Sequence, residues 1–190
     1  MMPERRVPLR RRLALGESGD APAAKAEGGL VIALLPPRAR ILLRLDPTHL
    51  KVEWLADFAF SLALNRCRSA GGKRTLRLGP DEWLLCGEKT AASQIATDLE
   101  AALEGLPHAL VDVSHAYVAL SVSGPRAREA INSGCPLDLS SPAFPPGAAT
   151  RTLLGKIEII LSHWEEGSFE LECARSLGAY AQEFLNVARA

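Results

Sequence analysis

Arg74-Thr-Leu-Arg-Leu-Gly-Pro-Asp-Glu-Trp-Leu-Leu-Cys86 is two short strands folded back on a turn. Leu76 and Leu78 alternate with Thr75 and Arg77, the period of two that a half-buried strand needs. Gly79-Pro80-Asp81-Glu82 places proline where a type I turn favours it. Trp83 to Cys86 supplies the return strand, and a tryptophan flanked by Leu84 and Leu85 is expected in the core.

Upstream, Ile41 to Leu45 reads as a strand. Asp46-Pro47 then offers an N-cap acceptor followed by proline at the first helical position. Leu50, Trp54, Leu55, Phe58 and Leu62 recur at helical spacing, which predicts a helix to about Leu64 before Gly71-Gly72 breaks the chain. Downstream, Ile95, Leu99 and Leu103 share one face of a helix predicted from about Ala91 to Glu104, with Gly105 after it. This half, about 38–106, reads β-α-β-β-α.

The second half, about 107–190, opens with strands at 109–114 and 116–121. Ser123-Gly124-Pro125 starts a short helix that Gly134 ends. A proline-rich loop follows, from Cys135 to Gly147, with Pro136, Pro142, Pro145 and Pro146 stiffening it. Strands are predicted at 150–154, 156–161 and 168–173. Ser176 is expected to cap a final helix whose face is Leu177, Tyr180, Ala181, Phe184 and Ala188. Strands joined by short turns and interrupted by a few helices indicate an α+β fold with antiparallel sheets, in two loosely similar halves.

Residues 1–29 hold too few large apolar groups to anchor a packed element, so the domain is expected to span 30–190. Arg5, Arg6, Arg10, Arg11 and Arg12 crowd the beginning of this arm, opposed there only by Glu4. Such a run suits a solvated arm, an acidic partner surface or a nucleic acid. Across the whole chain 22 basic residues balance 22 acidic ones, so net charge makes no case for nucleic acid or membrane. The longest apolar run, Leu30 to Leu35, is far too short to cross a bilayer. No secretory h-region follows the arginines, and a cytoplasmic location is expected. Cys67, Cys86, Cys135 and Cys173 contain no C-x-x-C pair and read as small buried residues in a reducing compartment.

Several constellations could carry chemistry. Asp81 and Glu82 are adjacent carboxylates, but neighbours on a strand point to opposite faces and cannot easily share a substrate. Asp112, Ser114 and His115 have the residue types of a hydrolytic triad, crowded into four positions where a turn is the simpler reading. Ser123-Gly124-Pro125-Arg126 is a weak candidate for an anion-holding turn, and neither G-x-G-x-x-G nor G-x-x-x-x-G-K-[ST] occurs. Cys135, His163 and Cys173 match no compact zinc framework. No catalytic, cofactor-binding or metal-binding residue is therefore assigned to this chain.

Three stretches read together resemble one family. They are Leu78-Gly-Pro-Asp-Glu-Trp-Leu-Leu85; Val111-Asp-Val-Ser-His-Ala-Tyr-Val-Ala-Leu-Ser-Val-Ser-Gly-Pro-Arg-Ala-Arg128; and Gly134-Cys-Pro-Leu-Asp-Leu139 with Phe144-Pro-Pro-Gly147 and Thr152-Leu-Leu-Gly155. The segment from Arg175 to Leu185 joins them. The pattern is similar to the gamma subunit of heterotetrameric sarcosine oxidase and its relative in N-methylglutamate dehydrogenase, over roughly residues 74–190. The resemblance implies a fold like the folate-binding aminomethyltransferase domain of the glycine cleavage system. It further implies alpha, beta and delta partner subunits that carry FAD, FMN, NAD, folate and zinc, with no cofactor in this chain. The function it implies is that of a non-catalytic structural subunit in the oxidative demethylation of sarcosine or a related N-methyl amine. Two other readings stand beside it: a stand-alone folate-binding protein of that fold, and a nucleic-acid adaptor using the N-terminal arginines.

Overall fold

A computed structural model describes residues 29–50 and 54–188. The strands are β1 (Val31–Leu34), β2 (Arg38–Leu45), β3 (Trp54–Leu55), β4 (Phe58–Ala59), β5 (Arg66–Ala70), β6 (Lys73–Gly79), β7 (Glu82–Glu88), β8 (His108–Asp112), β9 (Tyr117–Ser123), β10 (Ala149–Leu154), β11 (Ile157–Glu165) and β12 (Ser168–Ala174). The helices are α1 (Ala92–Ala102), α2 (Ala127–Asn132) and α3 (Gly178–Val187). The predicted arm of residues 1–29 lies, apart from Gly29, outside the described residues.

All strand pairs are antiparallel and form two five-stranded sheets, ordered β5-β6-β7-β2-β8 and β1-β9-β12-β11-β10, with β3-β4 as a separate ribbon. The α+β class with antiparallel sheets is the one the sequence predicts. The chain crosses between the sheets twice near its strands' ends. It passes from β1, which pairs with β9, into the β2 sheet, and returns after β8, the edge strand of that sheet, to β9.

Four layers result. Ala39, Ile41, Leu43 and Leu45 of β2 point outward to α1, where Ile95 and Leu99 meet them, together with Phe58, Phe60 and Trp83. On the other side, Leu120, Val122, Leu161, Phe169 and Leu171 pack under α2 and α3 through Ala127, Ile131, Ala181 and Leu185. Between the sheets lies a smaller apolar cluster of Cys67, Leu76, Leu84, Cys86, Ala149 and Ile160. Both sheets are therefore covered on both faces. Among the described residues no helix is long and apolar enough to cross a membrane.

The hairpin of residues 74–86 forms as its turn chemistry predicts, with Gly79 opposite Glu82. The helix predicted from Asp46 to Leu64 does not. Asp46 accepts from the Thr48 amide at 2.9 Å, but Pro47–His49 closes only a single 3-10 turn. The β3-β4 ribbon follows, its turn made by Ala56 (φ 47°) and Asp57 (φ 62°) in the left-handed region. Phe58, Ala59, Phe60 and Ser61 are buried in succession, which no single helical face allows. Lys73 fixes the unusual turn, donating from Nζ to the Ala56 carbonyl at 3.1 Å while lying 5.0 Å from the Phe58 ring centre. β1 and β5 are further strands that the sequence reading leaves out. At the C-terminal end a 3-10 turn, Arg175–Leu177, precedes α3, and no side chain caps either. The buried face of α3 is Gly178, Ala181 and Leu185, whereas Leu177 and Tyr180 are exposed.

Trp83 is fully buried, edge-on to Phe60 with ring centres 6.0 Å apart and under the Arg77 guanidinium at 4.9 Å. Its Nε1 donates to the Ser61 carbonyl at 3.4 Å. Trp83→Ala is expected to lower stability by roughly 3–5 kcal/mol in urea denaturation. A loss under about 1 kcal/mol would show that this core collapses around the gap.

Candidate functional site

The inter-sheet seam is where the chemistry-bearing side chains gather. Alternation puts Arg38, Arg40 and Arg44 of β2 on the face turned away from α1, beside Arg74 of β6. On β12, Phe169, Leu171 and Cys173 enter the other core, so Glu170 and Glu172 face the same seam. Arg40 donates from Nε to Glu172 Oε2 at 2.6 Å, with the two side chains 1% and 2% exposed. Glu170 lies between two guanidiniums, accepting from Arg38 at 2.7 Å and Arg74 at 2.5 Å. Arg74 also stacks 4.6 Å from the Trp164 ring centre. At the far end Glu82 bridges Arg44 (2.6 Å) and Arg151 of β10. Burial pushes the Glu172 carboxyl up, and Arg40 and Arg38 oppose that shift.

None of these pairs was singled out from the sequence, because Arg38-Ala-Arg-Ile-Leu and Phe169-Glu-Leu-Glu-Cys173 alternate as strands with one solvated face do. The available signal is their opposite sign: arginines at alternate positions of one strand, glutamates at alternate positions of another.

The constellations that the sequence does suggest are spent on structure. The Asp112 carboxylate accepts from the Ser114 amide at 2.9 Å and its hydroxyl at 2.5 Å, which holds Asp112 below the usual carboxylate range. Ser114 Oγ in turn accepts from the Arg40 amide at 2.9 Å, and His115 is exposed. This is a turn satisfying its own donors. Asp81 and Glu82 correct the strand argument made for them. Asp81 lies on the turn before β7, so both carboxylates reach Arg44, Asp81 at 3.4 Å.

Gly124 has a steric reason to be glycine. Its φ is +107°, and an added Cβ would stand 2.3 Å from the Gly29 carbonyl oxygen. His163 is stacked between Phe169 at 4.3 Å and Phe144 at 6.2 Å, and its Nδ1 donates to the Phe144 carbonyl at 2.8 Å. Cys173 pairs with Ile159, four residues along β11 from His163, and Cys135 lies 3.6 Å from Thr152 Oγ1. Among the described residues no group of three or more His, Cys, Asp or Glu could hold a metal ion. All four cysteines are buried and free, and burial pushes the Cys67 thiol up to about 12 and the Cys173 thiol to about 11.

The proline-rich loop is turned inward. Leu139 and Phe144 are buried in the core under α2, and Leu137 packs against it. The loop thus covers its own domain, although Leu137 and Phe144 also line a cleft of about 390 Å³ shared with Leu64 and Arg66.

Residues 51–190 match the model of the sarcosine oxidase gamma subunit family. A sarcosine oxidase subunit gamma from Arthrobacter sp is 37% identical over 99 residues, 52% of this chain and 47% of that relative. The chain spans about half the length of the curated relatives it matches. In fold it is similar to a chain of the heterotetrameric sarcosine oxidase from Corynebacterium sp. U-96 in complex with pyrrole 2-carboxylate. That likeness has a TM-score of 0.78 at 24% identity and covers 88% of this chain and 87% of that one. The glycine cleavage system aminomethyltransferase T from Bartonella henselae is similar over 84% of this chain and 46% of that one, with TM-score 0.61 at 13% identity. The aminomethyltransferase-like fold expected from the sequence is therefore present.

Removing one partner of the buried pair should be far worse than removing both. Arg40→Met removes the ion-pair partner of Glu172, leaving only the Arg38 charge to oppose its burial, and is expected to lower stability by about 3–5 kcal/mol near neutral pH, whereas Arg40→Met with Glu172→Met recovers most of it. In the single variant the folded carboxyl titrates above its unfolded value. Its protonated, tolerated form holds below about pH 4 and is lost as pH rises through the folded pKa. Urea midpoints should show the gap to wild type narrowing on acidification, and a gap that widens would contradict the assignment.

Proposed function

The chain belongs to the sarcosine oxidase gamma subunit family, and from that premise we propose that it is a non-catalytic structural subunit of a heterotetrameric oxidase of N-methyl amines. The observation that carries this reading is the family match over residues 51–190, on a chain where Ser114, Glu172 and His163 are engaged in a turn, an ion pair and core packing respectively. A general base or nucleophile needs a lone pair or proton free to meet a substrate. Ser114, Glu82 and Glu172 spend theirs inside the fold, and His163 Nε2, although unpartnered, is fully buried between Phe144 and Phe169, out of a substrate's reach.

On this reading the alpha, beta and delta subunits carry FAD, FMN, NAD, folate and zinc, and the amine is bound by a flavin-bearing partner. This chain contributes a rigid body. A tightly paired seam between two sheets suits that role, because a surface held at fixed geometry loses little entropy on docking.

Tagged chain purified from its native host is expected to bring down flavin-bearing subunits, seen as flavin absorbance and as separate bands identified by mass spectrometry. The chain expressed alone should be colourless after gel filtration and inactive toward sarcosine. Stoichiometric folate binding by the isolated chain would replace this reading with the stand-alone folate-binding one. Retained flavin on the isolated chain would overturn it.

A further inference from the structure

The seam between the two sheets differs in charge from end to end. At one end Arg44 and Arg151 are set among three carboxylates, Asp81, Glu82 and Glu158. At the other, three guanidiniums, Arg38, Arg40 and Arg74, meet two carboxylates, Glu170 and Glu172. Arg40 pairs directly with Glu172. Glu170 is shared: its Oε1 lies 2.7 Å from Arg38 and its Oε2 2.5 Å from Arg74. Two guanidiniums on one carboxylate leave one positive charge unmatched among the described residues. Their side chains are only 14% and 33% exposed, so water compensates that charge poorly. Each meets Glu170 through Nη1, one nitrogen of a fork that carries five N–H groups, so each retains donors.

Arg38 and Arg74 both line a cleft of about 480 Å³ at this end of the seam. Leu35, Pro36 and Pro37 give it an apolar wall, and the exposed Glu88 and Lys89 add opposite charges at its rim. The prolines, with fixed φ and no N–H to satisfy, make that wall stiff. The volume is more than a bare inorganic ion fills and lies in the range of small-molecule sites. The unmatched charge is a single unit, which suits a monoanion. Two guanidiniums held side by side suit the paired oxygens of a carboxylate.

We propose that this cleft binds a small organic monocarboxylic acid. Arg38 and Arg74 hold its carboxylate, and its apolar body lies against Leu35, Pro36 and Pro37. The site goes beyond the structural-subunit reading and does not depend on it, since every group that builds it belongs to this chain.

The test titrates the full chain with sodium butanoate at constant ionic strength. Heat is followed by calorimetry, and tryptophan fluorescence beside it, because Arg74 lies 4.6 Å from the Trp164 ring centre. Saturable one-to-one binding is expected with Kd of about 1 mM, and none with butyramide, which has the same body without the charge. Arg74→Met leaves Glu170 matched by Arg38 alone and should weaken binding about tenfold or more. Glu170→Gln removes the internal competitor and should tighten it about tenfold, a gain that a merely structural role does not produce. Thermal melting checks that both variants are folded; if Glu170→Gln is not, Arg74→Met decides. No saturable binding of butanoate to wild type would overturn the site. Equal binding of butyramide would overturn the role of the carboxylate. Sulfate binding as tightly as butanoate would overturn the assignment to an organic monoacid. Butanoate affinity unchanged in the folded variants would overturn the placement at Arg38 and Arg74.

Discussion

The pair formed by Arg40 and Glu172 sets the terms for the rest of the molecule. Each sits on a strand whose other face is committed to an apolar core under helices, so neither strand can turn its charge to water without surrendering that core. A buried ion pair is weak evidence of added stability, because desolvation offsets most of the attraction. What it enforces is register. A slip of one residue in either β2 or β12 would bury unpaired charge and expose a whole apolar face at once. Glu170 between Arg38 and Arg74, and Glu82 between Arg44 and Arg151, repeat the same constraint along the seam.

That constraint bears on function through rigidity. Polar groups that could have served chemistry are consumed in aligning the two sheets, and the surface inherits a fixed geometry. The segment between β4 and β5 is the clearest case, since its backbone is bonded to β6 and β10 while its leucines stay outside. A family resemblance says which assembly to look for.

Legibility followed turn chemistry and lost its way where tertiary contacts decide. Gly79-Pro80 announces a hairpin because proline presets one turn residue, and α1 is readable because Ile95, Leu99 and Leu103 keep a single face. The stretch from Asp46 to Leu64 misleads because five apolar residues fall at helical spacing, while the deciding features are remote. Lys73 holds the left-handed pair Ala56 and Asp57, and Arg77 holds Leu62. The seam was hidden for a different reason. Period-two alternation shows which residues share a face but not whether that face meets water or a second sheet, and Arg40 and Glu172 meet each other. The loop of residues 135–147 shows the same limit. Prolines reveal its stiffness, whereas only the packed fold shows Leu139 and Phe144 beneath it.

The exchange of edge strands between the sheets has a kinetic side. β1 pairs with β9 at Val31↔Ser123, a separation of 92 residues, so an early piece of the chain waits for a late one. Its sheet also needs β10, β11 and β12, so it cannot close until almost the whole described chain has been synthesised. Such long-range closure makes folding slow and leaves β9 with an unpaired edge in the interim. A nascent chain of this design is vulnerable to pairing with another copy before its own N-terminal strand arrives. Its assembly in a cell is therefore a race between intramolecular strand capture and aggregation.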